Sequence, residues 1–167
     1  MFSNVSAPYL LSDGSLLQLY RNCSVGLSDL DFSLDQAWWK ENKQELEKEL
    51  VTAGFKLAAI FGNMNMFGYE EAWEKNGVKV DIFSSIMKGN IRVTGFWVQG
   101  KLYACSMPME SVVMYKCMGM VEVRVPFPVE DALLSMYGRN YPYPLGSWHW
   151  DVYPFLTGYC GYEYIIT

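Results

Sequence analysis

The sequence predicts an α+β fold, with one long helix set among short strands and hairpins. Three observations carry that reading. Gln36 to Ala53 is rich in Glu, Lys, Leu and Gln, lacks Gly and Pro, and runs into Gly54, which is the composition and the stop of a single long helix. Most of the remaining chain consists of short apolar or alternating segments broken by Gly, Pro and Asn. The 167 residues are 51% hydrophobic and 19% charged, enough apolar material for a core; with no repeat, low-complexity tract or linker, they read as a single domain over 1–167.

Taken in order, Pro8 to Ser12 is a short apolar strand. Asp13-Gly14-Ser15 is a tight turn, and Leu16, Leu17, Leu19 and Tyr20 carry a short helix to about Cys23. Leu27 to Leu34 alternates apolar and polar residues, a half-buried strand with Asp29 and Asp31 on its polar face. In the long helix, Trp38, Leu46, Leu50 and Ala53 form the expected buried stripe. Phe55 to Phe61, Phe67 to Trp73 and Val78 to Phe83 are strands, the last two joined at Lys75-Asn76-Gly77, and Asn-Gly is the strongest short hairpin signal. Ile91 to Trp97 and Lys101 to Cys105 flank a second hairpin at Val98-Gln99-Gly100. Val112 to Val125 reads as one strand closed by Pro126-Phe127-Pro128, and Val129 to Tyr137 as a short helix ended by Gly138. The aromatic tail from Tyr141 to Thr167 is expected to be irregular and packed across the surface.

Charge and composition exclude several functions. A net charge of -5 argues against nucleic-acid backbones and anionic membranes as partners. Met1 to Leu19 lacks the basic head and apolar stretch of a secretory signal, and no segment is apolar enough to span a membrane, so the chain as given reads as soluble. Cys23, Cys105, Cys117 and Cys160 are scattered and form no Cys-x-x-Cys pair, which excludes a zinc knuckle. Buried thiols are the expectation, one or two disulfides the alternative. His149 is the single histidine, and its place between Trp148 and Trp150 fits a packed structural role, or else recognition of a ligand. Tyr141, Tyr143, Trp148, Trp150 and Tyr153 fill irregular core space, or stack on a base or sugar. Met64, Met66, Met107, Met109, Met114, Met118 and Met120 are expected to fill gaps in the sheet layer.

Three features point to chemistry. Gly14 and Ser15 open a helix, where backbone N–H groups without a bulky side chain in the way make an anion site. Asp29 and Asp31 are two residues apart on a strand and share a face, where they repel unless a divalent cation lies between them. Asp81 interrupts the apolar strand Val78-Lys79-Val80-Asp81-Ile82-Phe83, an unusual place for an acid with only a structural task. Strand, Gly-Ser turn, helix, Asp-x-Asp strand and Asp strand, in that order, resemble the nucleotidyltransferase fold, a mixed β-sheet whose three acids hold metal against nucleotide phosphates.

The resemblance extends further. Leu10-Leu11-Ser12-Asp13-Gly14-Ser15-Leu16-Leu17-Gln18-Leu19-Tyr20-Arg21 is similar to the opening motif of the LicD/fukutin family. Ser28-Asp29-Leu30-Asp31-Phe32 stands at its Asp-x-Asp strand, Lys79-Val80-Asp81-Ile82-Phe83 at its Lys-x-Asp-x-Phe strand, and Val123-Arg124-Val125-Pro126 with Tyr137-Gly138 at its closing segment. The resemblance implies transfer of a phosphorylated alditol or alcohol, such as ribitol phosphate or phosphocholine, from a CDP-activated donor to a glycan or glycoprotein acceptor. It implies that Asp29 and Asp31 bind Mg²⁺ or Mn²⁺ and that Asp81 is a third ligand or the base for the acceptor hydroxyl. Activity would then depend on Asp31 and Asp81. Gly14 and Ser15 would cradle donor phosphate and Arg21 would neutralise it. A Golgi or secretory-pathway lumen is the implied location, with the cytoplasm as the alternative. Members of the family carry a helix before the Gly-Ser strand, whereas about ten residues precede it here, so the front of the domain is expected to be shortened. Two other readings stand beside this one: a catalytically silent member that binds glycan or scaffolds a glycosyltransferase complex, and a general nucleotidyltransferase, which the acidity disfavours.

Overall fold

The computed structural model describes residues 7–24, 29–98, 101–116, 122–139, 141–142 and 163–164. The chain alternates as predicted between strands and few helices. In chain order these are β1 (Tyr9–Leu11), α1 (Asp13–Asn22), β2 (Asp29–Asp35), α2 (Gln36–Thr52), β3 (Lys56–Phe61), β4 (Glu70–Lys75) and β5 (Val78–Lys88). There follow β6 (Ile91–Val98), β7 (Lys101–Pro108), β8 (Ser111–Tyr115), β9 (Val123–Phe127), α3 (Val129–Tyr137) and β10 (Glu163–Tyr164). The fold class is α+β, built on a mixed sheet.

The eight-stranded sheet runs β1-β2-β5-β6-β7-β10, with β4 beside β5 and β3 beside β4. β2 and β5 are parallel, and the other pairs are antiparallel. β5 is the axis of the sheet. Along one edge it pairs with β2; along the other it pairs first with β4, over Val78 to Phe83, then with β6, over Ser85 to Lys88. Sharing an edge brings Gly68, just before β4, against the middle of β6. A Cβ on Gly95 would lie 2.6 Å from the Cα of Gly68, so only glycine permits that approach, and Trp97 Nε1 pins it by donating to the Gly68 carbonyl (2.8 Å).

Alternation along β5 gives the sheet two unlike faces. Val80 and Ile82 join Leu34, Trp39, Leu46, Leu50, Tyr69 and Trp73 in a core beneath α2. The opposite face carries Asp81 and is roofed by α1, α3 and β9, whose Leu16, Leu19, Val125, Leu133 and Met136 pack with Cys105 and Met107 of β7. Asp35 starts α2 by accepting the Trp38 N–H (2.9 Å), an N-cap. Gly54, at φ 88°, follows its end as expected.

Several sequence expectations are corrected. The fully buried residue of α2 alongside Leu46 and Leu50 is Trp39; Trp38 and Ala53 are only partly covered, because Trp39 stands seven residues before Leu46 and shares its face, whereas Trp38 is turned about 80° away. Val112 to Val125 is not one strand: β8 and β9 are separate and form an antiparallel pair, Val113 opposite Val125, and pairing into β9 carries the strand through Pro126 and Phe127. β4 begins three residues later than expected, while β5 and β7 continue further to Lys88 and Pro108. Met107 is buried, but Met66 and Met114 are exposed. Cys23 and Cys105 are disulfide-bonded rather than free thiols. Cys23 caps α1 in a left-handed conformation (φ 52°), a tight local turn, and Cys105 lies in the core. Cys117, Cys160, the Gln99-Gly100 turn, His149 and the aromatic residues from Tyr143 to Tyr153 lie outside the described residues.

Candidate metal centre

The site is assembled by parallel register. Asp29 lies opposite Lys79 and Asp31 opposite Asp81 on β2 and β5, so the period of two turns all four side chains to the same face. Asp29, Asp31 and Asp81 each offer a carboxylate oxygen, and these oxygens lie within 4.8 Å of one another. They run from exposed Asp29 through partly buried Asp31 to buried Asp81, the gradient of a site open on one side.

Asp31 is held by the start of α1. The Ser15 N–H donates to Asp31 Oδ2 (3.1 Å), the Asp31 N–H donates to Ser15 Oγ (2.8 Å), and the Ser12 N–H donates to the Asp31 carbonyl (3.0 Å). The backbone reaches this geometry through a left-handed step at Asp13 (φ 46°). A Cβ on Gly14 would stand 3.1 Å from Asp31 Oδ2, closer than the carboxylate tolerates without moving. The positive end of α1 therefore points at a carboxylate of the chain itself. Arg21 is elsewhere: six residues beyond Ser15, about 9 Å along the helix axis, its Nε donates to the Tyr141 carbonyl (2.6 Å). Burial lowers its pKa, opposed by Tyr137. The structure thus gathers Asp29, Asp31, Asp81, Gly14 and Ser15, and leaves Arg21 at the far end of α1.

Three charged residues that carried no role in the sequence reading also belong here. Lys79 Nζ donates to Asp81 Oδ2 at 2.5 Å and lies 4.0 Å from Asp29 Oδ1. Asp13 is near enough to act on Asp31 and on Glu70. Glu70 sits opposite Phe83, and Ala72 opposite Asp81, so Glu70 is the diagonal neighbour of Asp81 on the same face. Lys79 was legible, because it stands two residues from Asp81 on a strand. Glu70 was not, because its face depends on the β4–β5 register.

Five carboxylates around one ammonium are electrostatically frustrated. Burial first, then Asp13, Asp29 and Asp81, raise Asp31 well above the usual carboxylate range, against the Ser15 N–H. Burial raises Asp81, against Lys79. Burial and the charge of Asp81 push Glu70 up to about 8, against Lys79. Asp81 Oδ1 is buried and accepts no hydrogen bond among the described residues. A hard divalent cation, which takes carboxylate oxygens and cancels their repulsion, fits this donor set.

The sign of the pH dependence follows. Acids whose folded pKa lies above the unfolded value bind protons more tightly when folded, so stability falls as pH rises from about 4.5, the unfolded carboxylate range, to about 8. In EDTA the melting temperature should fall between pH 5 and pH 8.5 by about 4 °C or more, and Glu70→Gln should remove much of that slope. A Tm that rises over this interval would refute the frustrated cluster.

No family model matches the chain. The chain is similar to ribitol-5-phosphate transferase FKTN of Mus musculus. The two are 24% identical over 153 residues, covering 90% of this chain and 33% of the relative. The chain thus spans about a third of that protein's length, and the relation to fukutin is distant. Asp29, Asp31 and Asp81 all lie within a chain that is covered almost throughout. No helix among the described residues is long and apolar enough to cross a membrane.

Proposed function

We propose that this chain forms a single nucleotidyltransferase-like domain. In this reading it is a metal-dependent transferase that moves a phosphorylated alditol or alcohol, ribitol phosphate first, from a CDP-activated donor to a glycan. The observation that carries the reading is the convergence of Asp29, Asp31 and Asp81, with buried Asp81 Oδ1 lacking a donor among the described residues. The likeness to a ribitol-5-phosphate transferase supports the substrate class.

Asp29, Asp31 and Asp81 would hold Mg²⁺ or Mn²⁺, which when bound would supply charge neutralisation at the donor's phosphates and help orient the transferred group. Ser15 and Gly14 keep Asp31 in place at the head of α1 and set the helix start beside the donor phosphate. Asp81 completes the ligand set or takes the proton of the acceptor hydroxyl, a reading supported by its buried Oδ1, which accepts no hydrogen bond among the described residues. Arg21, anchored on Tyr141, braces α1. The disulfide-bonded Cys23 and Cys105 favour an oxidising compartment, in keeping with the Golgi or secretory lumen.

Melting curves with Mn²⁺ and CDP, followed by turnover of CDP-ribitol against a glycan acceptor, test the reading. At 100 times Kd a ligand stabilises by about 2.7 kcal/mol, so CDP with Mn²⁺ should raise Tm by roughly 5 °C or more. No shift with CDP and Mn²⁺ together would favour a catalytically silent relative that binds glycan or scaffolds a glycosyltransferase complex.

A further inference from the structure

We infer that Lys79 is an exchangeable cation: its ammonium holds the place of the divalent ion between Asp29 and Asp81, and yields that place to reach the donor's phosphate when the metal binds. The inference rests on the metal-dependent reading above and deepens it, since it gives the site a phosphate-binding residue and an order of loading.

Position comes first. Lys79 shares its face with Asp81 by strand period and lies in register with Asp29. Its Nζ is 2.5 Å from Asp81 Oδ2 and 4.0 Å from Asp29 Oδ1, so it bridges two of the three acids whose oxygens converge. The ammonium occupies Asp81 Oδ2, while Oδ1 remains buried without a partner among the described residues. One ammonium therefore satisfies the cluster only in part. A divalent ion carries twice the charge and gathers several oxygens at about 2.0–2.6 Å, so it matches this donor set better.

Repulsion and reach come next. An ammonium and a divalent ion a few ångströms apart repel, so Lys79 cannot keep its contact with both acids once the metal is held. Nor is it trapped. Its side chain is 47% exposed, and its four-carbon stem lets the ammonium swing outward at little cost. Outward is the open side of the site, toward exposed Asp29, where a phosphate touching the acid-bound cation has to lie. There the freed ammonium meets a phosphate oxygen in a charge-assisted hydrogen bond.

The consequence is reciprocal coupling. Lys79 weakens metal binding to the empty site and strengthens nucleotide binding to the loaded one, so CDP and Mn²⁺ must each raise the other's affinity. Mn²⁺ affinity, read from the free-ion EPR signal, and CDP affinity at saturating Mn²⁺, read by calorimetry, are compared for wild type, Lys79→Met and Lys79→Gln. Both variants should bind Mn²⁺ about tenfold tighter and CDP about tenfold weaker, within the usual 5- to 150-fold range of site coupling. This pair of opposite changes is one that a merely structural lysine does not produce. Mn²⁺ binding by the variants but not by wild type would overturn the exchange, since Lys79 would then block the metal rather than yield to it. Unchanged or weaker Mn²⁺ binding in both variants, or unchanged CDP binding, overturns the inference while leaving the metal reading intact. No Mn²⁺ binding by any of the three proteins overturns both.

Discussion

Asp31→Asn should abolish Mn²⁺ binding and transfer while making the metal-free protein slightly more stable. The first half follows from the proposed ligand set. Loss of a supporting residue around a metal typically costs 10–100-fold in affinity, and loss of a ligand should cost at least about 100-fold. The second half follows from frustration. Asp31 is raised by burial and by Asp13, Asp29 and Asp81, with only the Ser15 N–H in opposition, so its negative charge is a burden without a cation. Asparagine keeps an oxygen to accept from Ser15 and removes that charge. Because Asp31 is only partly buried, solvent screens part of the gain, which should be about 1 kcal/mol, or 2–4 °C in Tm. Melting in EDTA and Mn²⁺ titration check the two halves separately. Full turnover in Asp31→Asn would remove it from the metal site. Lower stability together with lost binding would make Asp31 a structural acid instead.

The same logic shows why this site could be read from the sequence only in part. Asp29, Asp31 and Asp81 were legible because strand alternation is local: two residues apart means one face, and an acid in an apolar strand stands out. The Gly14-Ser15 turn was legible as a helix start, and its target was not. A sequence reading that places a free anion there cannot see that Ser15 binds Asp31, a residue 16 positions away. Glu70 was invisible for the same reason, since adjacent glutamates give no hint which one faces the acids until β4 is in register with β5. The merged β8–β9 segment also depends on a long-range partner, whereas the choice of Trp39 over Trp38 follows from the helical period alone. The disulfides at Cys23 and Cys105 carried no signal in cysteine spacing.

Lys43→Met should be the most destabilising of the substitutions considered, and its effect should be indifferent to metal. Glu71 neighbours Glu70 in sequence, yet it projects to the other face of the sheet, where it is wholly buried beneath α2. There its carboxylate accepts from Lys43 Nζ, from the Tyr69 hydroxyl and from Trp73 Nε1. Removing Lys43 leaves that carboxylate buried with two neutral donors. Breaking a buried pair from one side costs about 3–5 kcal/mol. Lys43 is partly open to water, its side chain 28% exposed, so about 2–3 kcal/mol is the expected loss, roughly 4–12 °C in Tm. The double variant Lys43→Met/Glu71→Gln should recover over half of it, because the unpaired charge is gone. Burial works to lower the pKa of Lys43, but the hydrogen bonds it donates to Glu47, Glu71 and Tyr69 outweigh it and leave the group above its ordinary value. A raised lysine contributes fully below its unfolded pKa of about 10.4 and loses that contribution only as pH climbs through the higher folded value. The difference between wild type and Lys43→Met should therefore be flat from pH 6 to 9, with or without Mn²⁺, whereas the slope tied to Glu70 should run from about pH 4.5 to about 8 and vanish when metal binds. Equal stability of Lys43→Met and wild type, or a Lys43 effect that tracked Mn²⁺, would mean that the two faces of the sheet do not divide stability from chemistry at Glu70 and Glu71.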